Sequence, residues 1–569
     1  MWRQRNDVFR GLRTAISTRF ALSLLLLGCS PEASDVDVVT LPVTREIAFI
    51  DVASAVGLTT FGSFPVSELA AADRFAAGVC VLDVDGAPPY DLFFARRPIG
   101  GRPGAQGSRL YVAGEELEYV DETEARGLSD VGDATACLAF DADGDGDDDL
   151  FVPGHGTLRL LQNERGQFVD RSAELDVIVG ERDWYQGAAA GDVDGDGDLD
   201  IVVAGYLRDV DVPETPEDCP NLACSLNVFS ERRPRLPNLL LLRGADGRYL
   251  PAANELAEDL YRDEPTLMVA VVRVTGRGRP DIVVGNDFPN YPDRVLRRDS
   301  TGALRDVAVE LGMSANRRGS GGCTMGFNAG DINGDGVLDF ASSSYQGEPS
   351  SLFVCDEVLG FCGDRSAEFS LGGARFRWGV QLVDVDGDGR DDLVEVGGHL
   401  YRPEDGPTLA NRGPFEQPAE LWLARDARLV RWEAPNGDGF ATPRAGRGLV
   451  AADLDDDGRV DFIVSPAVGM PAVLLNRTEP RGHFLRVSLV GAGLDTEGAA
   501  ARVTVTESDG LPPHIRARLV GDGYAGNGDP RLLFGLRTAG RVSVEVRWAD
   551  DTVTTMRELA ADGDVTVEQ

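Results

Sequence analysis

Residues 141–149 read Asp-Ala-Asp-Gly-Asp-Gly-Asp-Asp-Asp, and four later stretches repeat this design. The four are DVDGDGDLD from Asp192, DINGDGVLD from Asp331, DVDGDGRDD from Asp384 and DLDDDGRVD from Asp453. Each has Gly at position 6 and a carboxylate, or one Asn amide, at positions 1, 3, 5 and 9. Alternate side chains of a tight turn face a common centre, and Gly permits the positive φ that closes the turn. This number of oxygen ligands suits a hard cation such as Ca²⁺.

The sequence therefore predicts about five calcium ions held by these loops. The predicted ligands are Asp141, Asp143, Asp145, Asp149, Asp192, Asp194, Asp196, Asp200, Asp331, Asn333, Asp335, Asp339, Asp384, Asp386, Asp388, Asp392, Asp453, Asp455, Asp457 and Asp461. An EF-hand loop would need Glu at position 12 and flanking helices. Here apolar β-forming residues follow at once, as in Leu150-Phe151-Val152, so each loop is predicted to lie within a β-hairpin. Solvated turns without metal are the simpler alternative, but turns alone do not require acids at fixed positions.

Two further copies keep the register and lack ligands. The copy from Asp83 has Ala87 at position 5, and the copy from Arg273 has Arg at positions 1 and 5. We expect the second of these loops to be metal-free, with one of its own arginines pairing with Asp281.

The seven loops recur along residues 45–480, and repeats of this length are typical of propellers and solenoids. Each unit reads as four antiparallel strands, which is one propeller blade. The fold prediction is therefore all-β: a seven-bladed β-propeller followed by a small β-rich domain over residues 481–569. The last repeat lacks its own outer strand, and Phe49-Ile50-Asp51-Val52 precedes the first blade. We expect this segment to complete blade seven, with Phe49 and Ile50 buried.

The repeats resemble FG-GAP/VCBS repeats, which form integrin-α-like propellers. Trp378-Gly379 before the sixth loop and the segment Gly446-Arg447-Gly448-Leu449 are similar to the cartilage acidic protein family. Residues 481–569 resemble the ASPIC/UnbV domain that follows the propeller in that family, on the segments His483–Val487, Phe534-Gly535-Leu536 and Val546-Arg547-Trp548. The resemblance implies an integrin-α-like propeller followed by a small C-terminal domain.

The first residues predict export. An Arg-rich start and a short apolar run over residues 1–28 are typical of a signal peptide rather than a membrane span. Leu26-Leu27-Gly28-Cys29 resembles a bacterial lipobox, so Cys29 is predicted to be acylated and residues 29–44 to form a lipid-anchored tether. The expected location is the outer membrane, on its periplasmic or surface face, with the lipid as the only membrane contact. Ordinary secretion without lipidation is the alternative.

The remaining cysteines suggest disulfides in an oxidising compartment. The candidate pairs are Cys219 with Cys224, Cys355 with Cys362 and Cys80 with Cys137. Zinc ligation is the alternative, and the spacings fit it poorly.

Net charge and composition argue against several classes of function. A net charge of −39 repels phosphate backbones, so nucleic acid is not an expected partner. The chain has four histidines, and none lies in a metalloprotease or serine-hydrolase motif.

Aromatic residues such as Trp184, Tyr206, Phe288, Tyr345 and Trp378 could either stack on a ligand or fill the central channel. The favoured function is that of a calcium-stabilised, lipid-anchored binding or adhesion protein without catalytic activity, with a protein or carbohydrate as its ligand. A cell-envelope polysaccharide hydrolase or lyase and an architectural scaffold are the alternatives.

Overall fold

The structure is a computed structural model, and it describes most of the chain after residue 45. The described ranges are 46–59, 72–86, 88–98, 107–114, 116–209, 233–275, 278–344, 349–371, 375–400, 414–425, 428–479, 482–508, 510–537 and 540–569. The predicted signal peptide, Cys29, the tether and the pair Cys219–Cys224 lie outside these ranges.

Antiparallel blades make up the larger part of the described residues; each has four strands, except that two short strands share the innermost position in blade two. Blade one contains β2 (Gly78–Leu82), β3 (Asp91–Ala95), β4 (Arg109–Ala113) and β5 (Tyr119–Asp121). Blade two contains β6 (Asp133–Ala134), β7 (Leu138–Phe140), β8 (Asp149–His155), β9 (Leu158–Asn163) and β10 (Phe168–Asp170). Blade three contains β11 (Trp184–Gly191), β12 (Asp200–Leu207), β13 (Leu239–Arg243) and β14 (Tyr249–Pro251). Blade four contains β15 (Thr266–Val272), β16 (Asp281–Asn286), β17 (Arg294–Arg298) and β18 (Leu304–Asp306).

The remaining blades follow the same order. Blade five contains β19 (Thr324–Gly330), β20 (Asp339–Ser344), β21 (Ser351–Asp356) and β22 (Phe361–Asp364). Blade six contains β23 (Arg377–Val383), β24 (Asp392–Gly397), β25 (Glu420–Arg425) and β26 (Arg428–Trp432). Blade seven contains β27 (Gly446–Ala452), β28 (Asp461–Pro466), β29 (Ala472–Asn476) and β1 (Phe49–Asp51). Short helices occur at Asn254–Ala257 and Ala308–Leu311, and 3₁₀ turns at Ala72–Arg74, Ser172–Glu174 and Gly439–Ala441.

The innermost strands contact one another in a closed circle. Going round from β2, the order is β7, β11, β15, β19, β23 and β27, and β27 returns to β2. The recurring glycine five residues before a loop explains how closely they approach. A Cβ built on Gly379 would lie 2.5 Å from Leu449 Cβ in the next blade. The predicted β-propeller is therefore the fold.

The N-terminal strand closes the ring, as the sequence predicts. β1 pairs antiparallel with β29, and Phe49 lies opposite Asn476. Phe49 is buried against Phe440 and Phe462. The expectation for Ile50 was wrong: its side chain is 53% exposed, because alternate residues of an outer strand face away from the core.

The C-terminal domain is a β-sandwich-like pair of small sheets. Its strands are β30 (His483–Val490), β31 (Arg502–Glu507), β32 (His514–Ala517), β33 (Leu532–Leu536), β34 (Arg541–Arg547), β35 (Val553–Ala560) and β36 (Gly563–Glu568). One sheet has the order β33-β30-β36 and the other the order β32-β31-β34-β35. Leu485, Val503, Phe534 and Trp548 share a core between them.

Two predicted disulfides are present. Cys80 bonds to Cys137 with their Cα atoms 6.1 Å apart, which ties blade one to blade two. Cys355 bonds to Cys362 across the hairpin of β21 and β22. These bonds fit an exported protein. None of the described helices is both long and apolar enough to cross a bilayer.

Deleting residues 45–58 should destabilise the propeller strongly, because it removes β1 and leaves β29 as an open edge. Burial of a side chain such as Phe49 contributes about 1.5–3 kcal/mol, and the ladder hydrogen bonds add to this. The check is thermal unfolding of the mature chain. Deleting residues 30–42 is the matched control and should leave the melting temperature almost unchanged. Equal melting temperatures for both deletions would contradict closure by β1.

Candidate metal centres and the domain that covers them

The second loop shows how the sequence builds a nest for a cation. The two Asp141 carboxylate oxygens accept hydrogen bonds from the backbone N–H groups of Gly144, Asp145 and Gly146, at 2.7–3.2 Å. Gly144 and Gly146 have φ values of 83° and 93°, which only glycine adopts easily. Asp149 opens strand β8 and accepts from Ala142 N and Asn163 N. The loop backbone thus fixes its first and last carboxylates.

The ligands at positions 1, 3 and 9 converge in four of the five predicted sites. In each group one carboxylate oxygen per residue lies within 4.8 Å of the others. The groups are Asp141, Asp143 and Asp149; Asp192, Asp194 and Asp200; Asp384, Asp386 and Asp392; and Asp453, Asp455 and Asp461. The remaining loop has Asn333 at position 3, and Asp331 there accepts the same backbone hydrogen bonds, from Gly334, Asp335 and Gly336.

The first loop forms a similar cluster, although its sequence lacks a ligand. Asp83, Asp85 and Asp91 converge within the same distance. The sequence separates this copy from the five complete loops because Ala87 takes the place of a ligand at position 5. The preserved acids at positions 1, 3 and 9 were the signal that this loop keeps the geometry of the others.

Burial makes these clusters electrostatically unfavourable without a counter-ion. Burial, together with the neighbouring loop aspartates, raises the pKa of the position 9 carboxyl to about 8 in Asp149, Asp200 and Asp339. The pKa values of Asp392 and Asp461 are raised well above the usual range for the same reasons. Among the described residues, Asp339 Oδ2 and Asp455 Oδ1 are buried oxygens without a hydrogen-bond partner. Unsatisfied, converging, hard oxygens are the donor set that Ca²⁺ prefers, so these residues fit the ion.

The fourth loop differs from its prediction. Asp281 does pair with an arginine, but the partner is Arg297 of β17, which donates from Nε at 2.7 Å and Nη2 at 2.8 Å. Arg273 instead donates to the carbonyl oxygens of Trp548 and Ala549 in the C-terminal domain. The end of the third strand lies beside the loop, and this neighbour could not be identified from the spacing within the loop.

At or just after the end of the third strand, arginines also lie beside the loop in blades six and seven. Arg425 contacts Asp386 and Asp388, and Arg477 contacts Asp455 and Asp457. These guanidinium groups offset part of the acidic charge from outside the cluster. Sequence reasoning missed these arginines because each lies more than twenty residues after the start of its loop. Only the pairing of the second and third strands brings them beside the loop.

The purified mature chain should bind about five Ca²⁺ ions, and a chelator should lower its melting temperature. At a free calcium concentration of 100 times Kd, each site adds about 2.7 kcal/mol to the free energy of unfolding. Metal analysis after dialysis and calorimetry with and without chelator are the measurements.

Asp149→Asn should lower the calcium stoichiometry by one site. Asp246→Asn is the matched control, because Asp246 is exposed in the β13–β14 turn and should leave the stoichiometry unchanged. One ion or none in the parent protein would rule out the metal interpretation.

The C-terminal domain lies directly on the face that carries these loops. In the second loop, Thr496 Oγ1 donates to Asp141 Oδ2 at 2.7 Å, and Glu497 Oε1 accepts from Asp141 N at 2.8 Å. In the seventh loop, Arg486 Nη1 donates to Asp453 Oδ2 at 3.0 Å. In the sixth, Arg516 pairs with Asp391 at 2.5 Å. The domain therefore contacts loops from several blades around the ring.

Comparisons with known proteins agree with this two-part arrangement. Residues 141–203 and 274–342 match the FG-GAP-like repeat, and residues 491–569 match ASPIC and UnbV. The chain carries FG-GAP-like repeats and an ASPIC/UnbV domain. It is homologous to cartilage acidic protein 1: the mouse protein is 26% identical over 64% of this chain and 70% of its own length. The Xenopus tropicalis protein is 23% identical over 76% of this chain and 64% of its own length.

Solved structures give a weaker likeness. One of them is an Agrocybe aegerita lectin that recognises non-reducing terminal N-acetylglucosamine. The superposition covers 76% of this chain and 94% of the lectin, with a TM-score of 0.37 and 14% sequence identity. A likeness at this level assigns no ligand to this chain.

A segment of the ASPIC/UnbV domain, residues 519–529, fills the centre of the ring; we name it the plug. Its backbone pairs with innermost strands: Val520 with Ala190, Gly523 with Phe327, and Asn527 with the strand around Cys80. Further backbone bonds run from Cys137 N to Ala525 O and from Asp529 N to Ala451 O. The plug thus bonds to blades one, two, three, five and seven.

Tyr524 of the plug belongs to an aromatic cluster in the channel. It packs with Phe75, Trp184, Tyr206 and Trp378, all buried. Its hydroxyl donates to Phe75 O at 3.0 Å and accepts from Gln186 Nε2 at 3.0 Å. Of the two roles considered for the aromatic residues, Trp184, Tyr206 and Trp378 therefore fill the channel. Tyr345 lies outside the described residues.

Tyr524→Ala should lower the free energy of unfolding by about 3–5 kcal/mol, the usual cost of removing a large buried aromatic side chain. Tyr524→Phe removes only the hydroxyl and should cost about 1–3 kcal/mol, because Gln186 loses its acceptor and Phe75 O its donor. Denaturant unfolding of both variants tests the ranking. A Tyr524→Ala protein as stable as the parent would mean that the plug does not support the ring.

Proposed function

We propose that this chain is an exported, lipid-anchored and calcium-stabilised binding protein without catalytic activity. It recognises a protein or carbohydrate on the propeller face opposite the ASPIC/UnbV domain. Nucleic acid is not a partner, since a net charge of −39 repels phosphate backbones.

The position of the ASPIC/UnbV domain is the observation that carries this proposal. It contacts the loop face through residues such as Thr496 and Arg486, and its plug fills the channel. A ligand therefore has the opposite face to bind, where second strands connect to third strands. Two of these connections fall within the long insertions 207–237 and 400–420. Variable loops on a rigid ring are the usual place for recognition in such folds.

The titratable groups outside the loops support binding rather than catalysis. Glu395 and Glu420 come together, but both are buried and paired with Arg377. His514 is held by Glu507 at 2.8 Å, and His483 by Asp562 at 2.8 Å. Each of these side chains thus has a partner within the fold. A hydrolase or lyase would require a carboxylate pair, or a His/Tyr pair, open to substrate.

The anchor is tested by Cys29→Ala. This substitution should abolish labelling by a radioactive fatty acid and release the protein in soluble form, because acylated cysteine supplies the membrane affinity. Cell fractionation and lipid labelling are the measurements. If the parent takes no label and the variant stays with the membrane, another anchor or ordinary secretion is correct.

The binding function is tested with the soluble mature chain as bait on envelope extracts and a glycan array, with calcium and with chelator. We expect a partner that is retained with calcium and lost with chelator, because the loops support the ring. The Tyr524→Ala variant controls for general loss of structure. Release of new reducing ends or unsaturated sugars from a bound polysaccharide would favour the enzyme. Co-purification of several envelope proteins without a saturable ligand would favour the scaffold.

A further inference from the structure

The hairpin of β21 and β22 in blade five ends in exposed apolar side chains; we name Val358, Leu359 and Phe361 the apolar tip. Val358 is 95% exposed, Leu359 75% and Phe361 46%. The corresponding turns of blades two, three, four and six contain no large apolar residue, and Leu117 in the turn of blade one is buried. The propeller fold therefore does not require exposed apolar side chains at this position.

This hairpin is one residue pair longer than its counterpart in blade two. In blade two, Asn163 N donates to the position 9 carboxylate, and Asn163 pairs with Phe168, the first residue of the fourth strand. In blade five the residue that makes this bond is Cys355, and it pairs with Cys362. One more residue pair follows before the turn. The extra pair carries the turn further out of the blade, and the disulfide between Cys355 and Cys362 braces its base.

The polar groups of this turn are satisfied within the protein. Asp356 Oδ1 accepts from Val358 N at 2.9 Å and from Leu359 N at 3.0 Å. The carboxylate of Glu357 pairs with Arg502 of the ASPIC/UnbV domain. Because the apolar part of a lipid bilayer offers no hydrogen-bond partners, backbone donors that approach it must already be paired. The N–H groups of Val358 and Leu359 meet this condition.

The apolar tip and the start of β1 lie on the same face of the ring. β1 begins at Phe49 opposite Asn476, and Asn476 N donates to the loop carboxylate of Asp461 at 2.7 Å. In blade five, Cys355 N makes the equivalent bond just before the turn that carries the tip. The chain before β1 therefore leaves from the face that carries the tip. Residues 29–45 reach at most about 60 Å if fully extended, so an acylated N-terminus and the tip can enter one bilayer.

We propose that the apolar tip inserts into a zwitterionic phospholipid bilayer and forms a second membrane contact beside the lipid anchor. This proposal rests on the proposed lipid-anchored binding function and assigns the orientation of the ring. The acyl chains supply the affinity, and the tip fixes the orientation, because a single point of attachment leaves the ring free to rotate. The proposed recognition face, which carries the insertions 207–237 and 400–420, then points away from the membrane.

The lipid is zwitterionic because a net charge of −39 is repelled by anionic headgroups. The sequence predicted the acyl group as the only membrane contact, so the tip is an addition to that prediction.

The first experiment measures quenching of tryptophan fluorescence by brominated phosphatidylcholine. The mature chain is attached to phosphatidylcholine vesicles through an N-terminal histidine tag and a nickel-chelating lipid, so the test does not need acylation of Cys29. Leu359→Trp should gain emission that the brominated lipid quenches, because an inserted side chain reaches about 5–10 Å into the boundary between headgroups and acyl chains. The native tryptophans of the described residues are buried or half-buried and should contribute little to the quenching.

Ile178→Trp is the matched control. Ile178 is 98% exposed and lies between a fourth strand, β10, and a first strand, β11, which places it on the opposite face of the ring. Its added emission should not be quenched.

A second measurement compares the binding of the untagged, non-acylated mature chain to vesicles. Combining Val358→Ser with Leu359→Ser should weaken binding to phosphatidylcholine by about tenfold or more, since apolar burial in the bilayer is lost. The melting temperature of this variant should equal that of the parent, because both side chains are exposed. Ile178→Ser should bind like the parent, and vesicles that contain phosphatidylglycerol should bind the parent more weakly.

The proposal is overturned if Leu359→Trp is not quenched, if Ile178→Trp is quenched equally, or if the double serine variant binds like the parent. Tighter binding to the anionic vesicles would also overturn it, because charge would then carry the attraction. A parent that is dimeric in solution and becomes monomeric with both serines would assign the tip to a second copy of the chain instead. The lipid anchor fails separately, if the parent takes no fatty-acid label in cells; quenching of Leu359→Trp would still place the tip in the bilayer.

Discussion

Carboxylates crowded within 4.8 Å of one another are the constraint on which the rest of this structure depends. Each cluster is partly buried, and like charges in a low-dielectric environment repel strongly. Several kinds of contact offset this repulsion. Backbone N–H groups of each loop bind the first carboxylate, Arg425 and Arg477 approach from the same blade, and Arg486 reaches from the ASPIC/UnbV domain. Each proposed calcium ion would add two positive charges at the centre of its cluster. The fourth loop supports this reading, because where Arg273 replaces the first acid, Arg297 binds Asp281 directly.

The same constraint explains why the two domains form one unit. All the loops lie on one face of the ring, so that face attracts a partner that brings arginine. Once the ASPIC/UnbV domain is seated there, its plug pairs with the free edges of the innermost strands, and Gly78 leaves room for it: a Cβ on Gly78 would lie 2.3 Å from Ala525 O. The recurring glycines thus allow neighbouring blades to approach closely at Gly379 and the plug to enter at Gly78.

Much of the fold could be predicted from the sequence because its signals are local. Loop register, alternating apolar residues and the unpaired outer strand identified the propeller and the role of β1, and the cysteines gave two disulfides. What escaped prediction depends on distant contacts. Residues 519–529 read like one more Gly- and Asp-rich turn, and nothing local places Tyr524 among Trp184 and Trp378. The partner of Asp281 was assigned within its own loop, whereas the hairpin brings in Arg297.

The two faces of the ring are under different physical demands. On the covered face, the loop between the first and second strands spans nine residues in every blade, and in most blades it holds its acids in one register. On the opposite face, the connection between second and third strands ranges from residues 467–471 in blade seven to 208–238 in blade three. A loop that holds acids in register and contacts the ASPIC/UnbV domain cannot change its length without losing both roles. Variation in loop length is therefore confined to the opposite face, where the proposed recognition takes place.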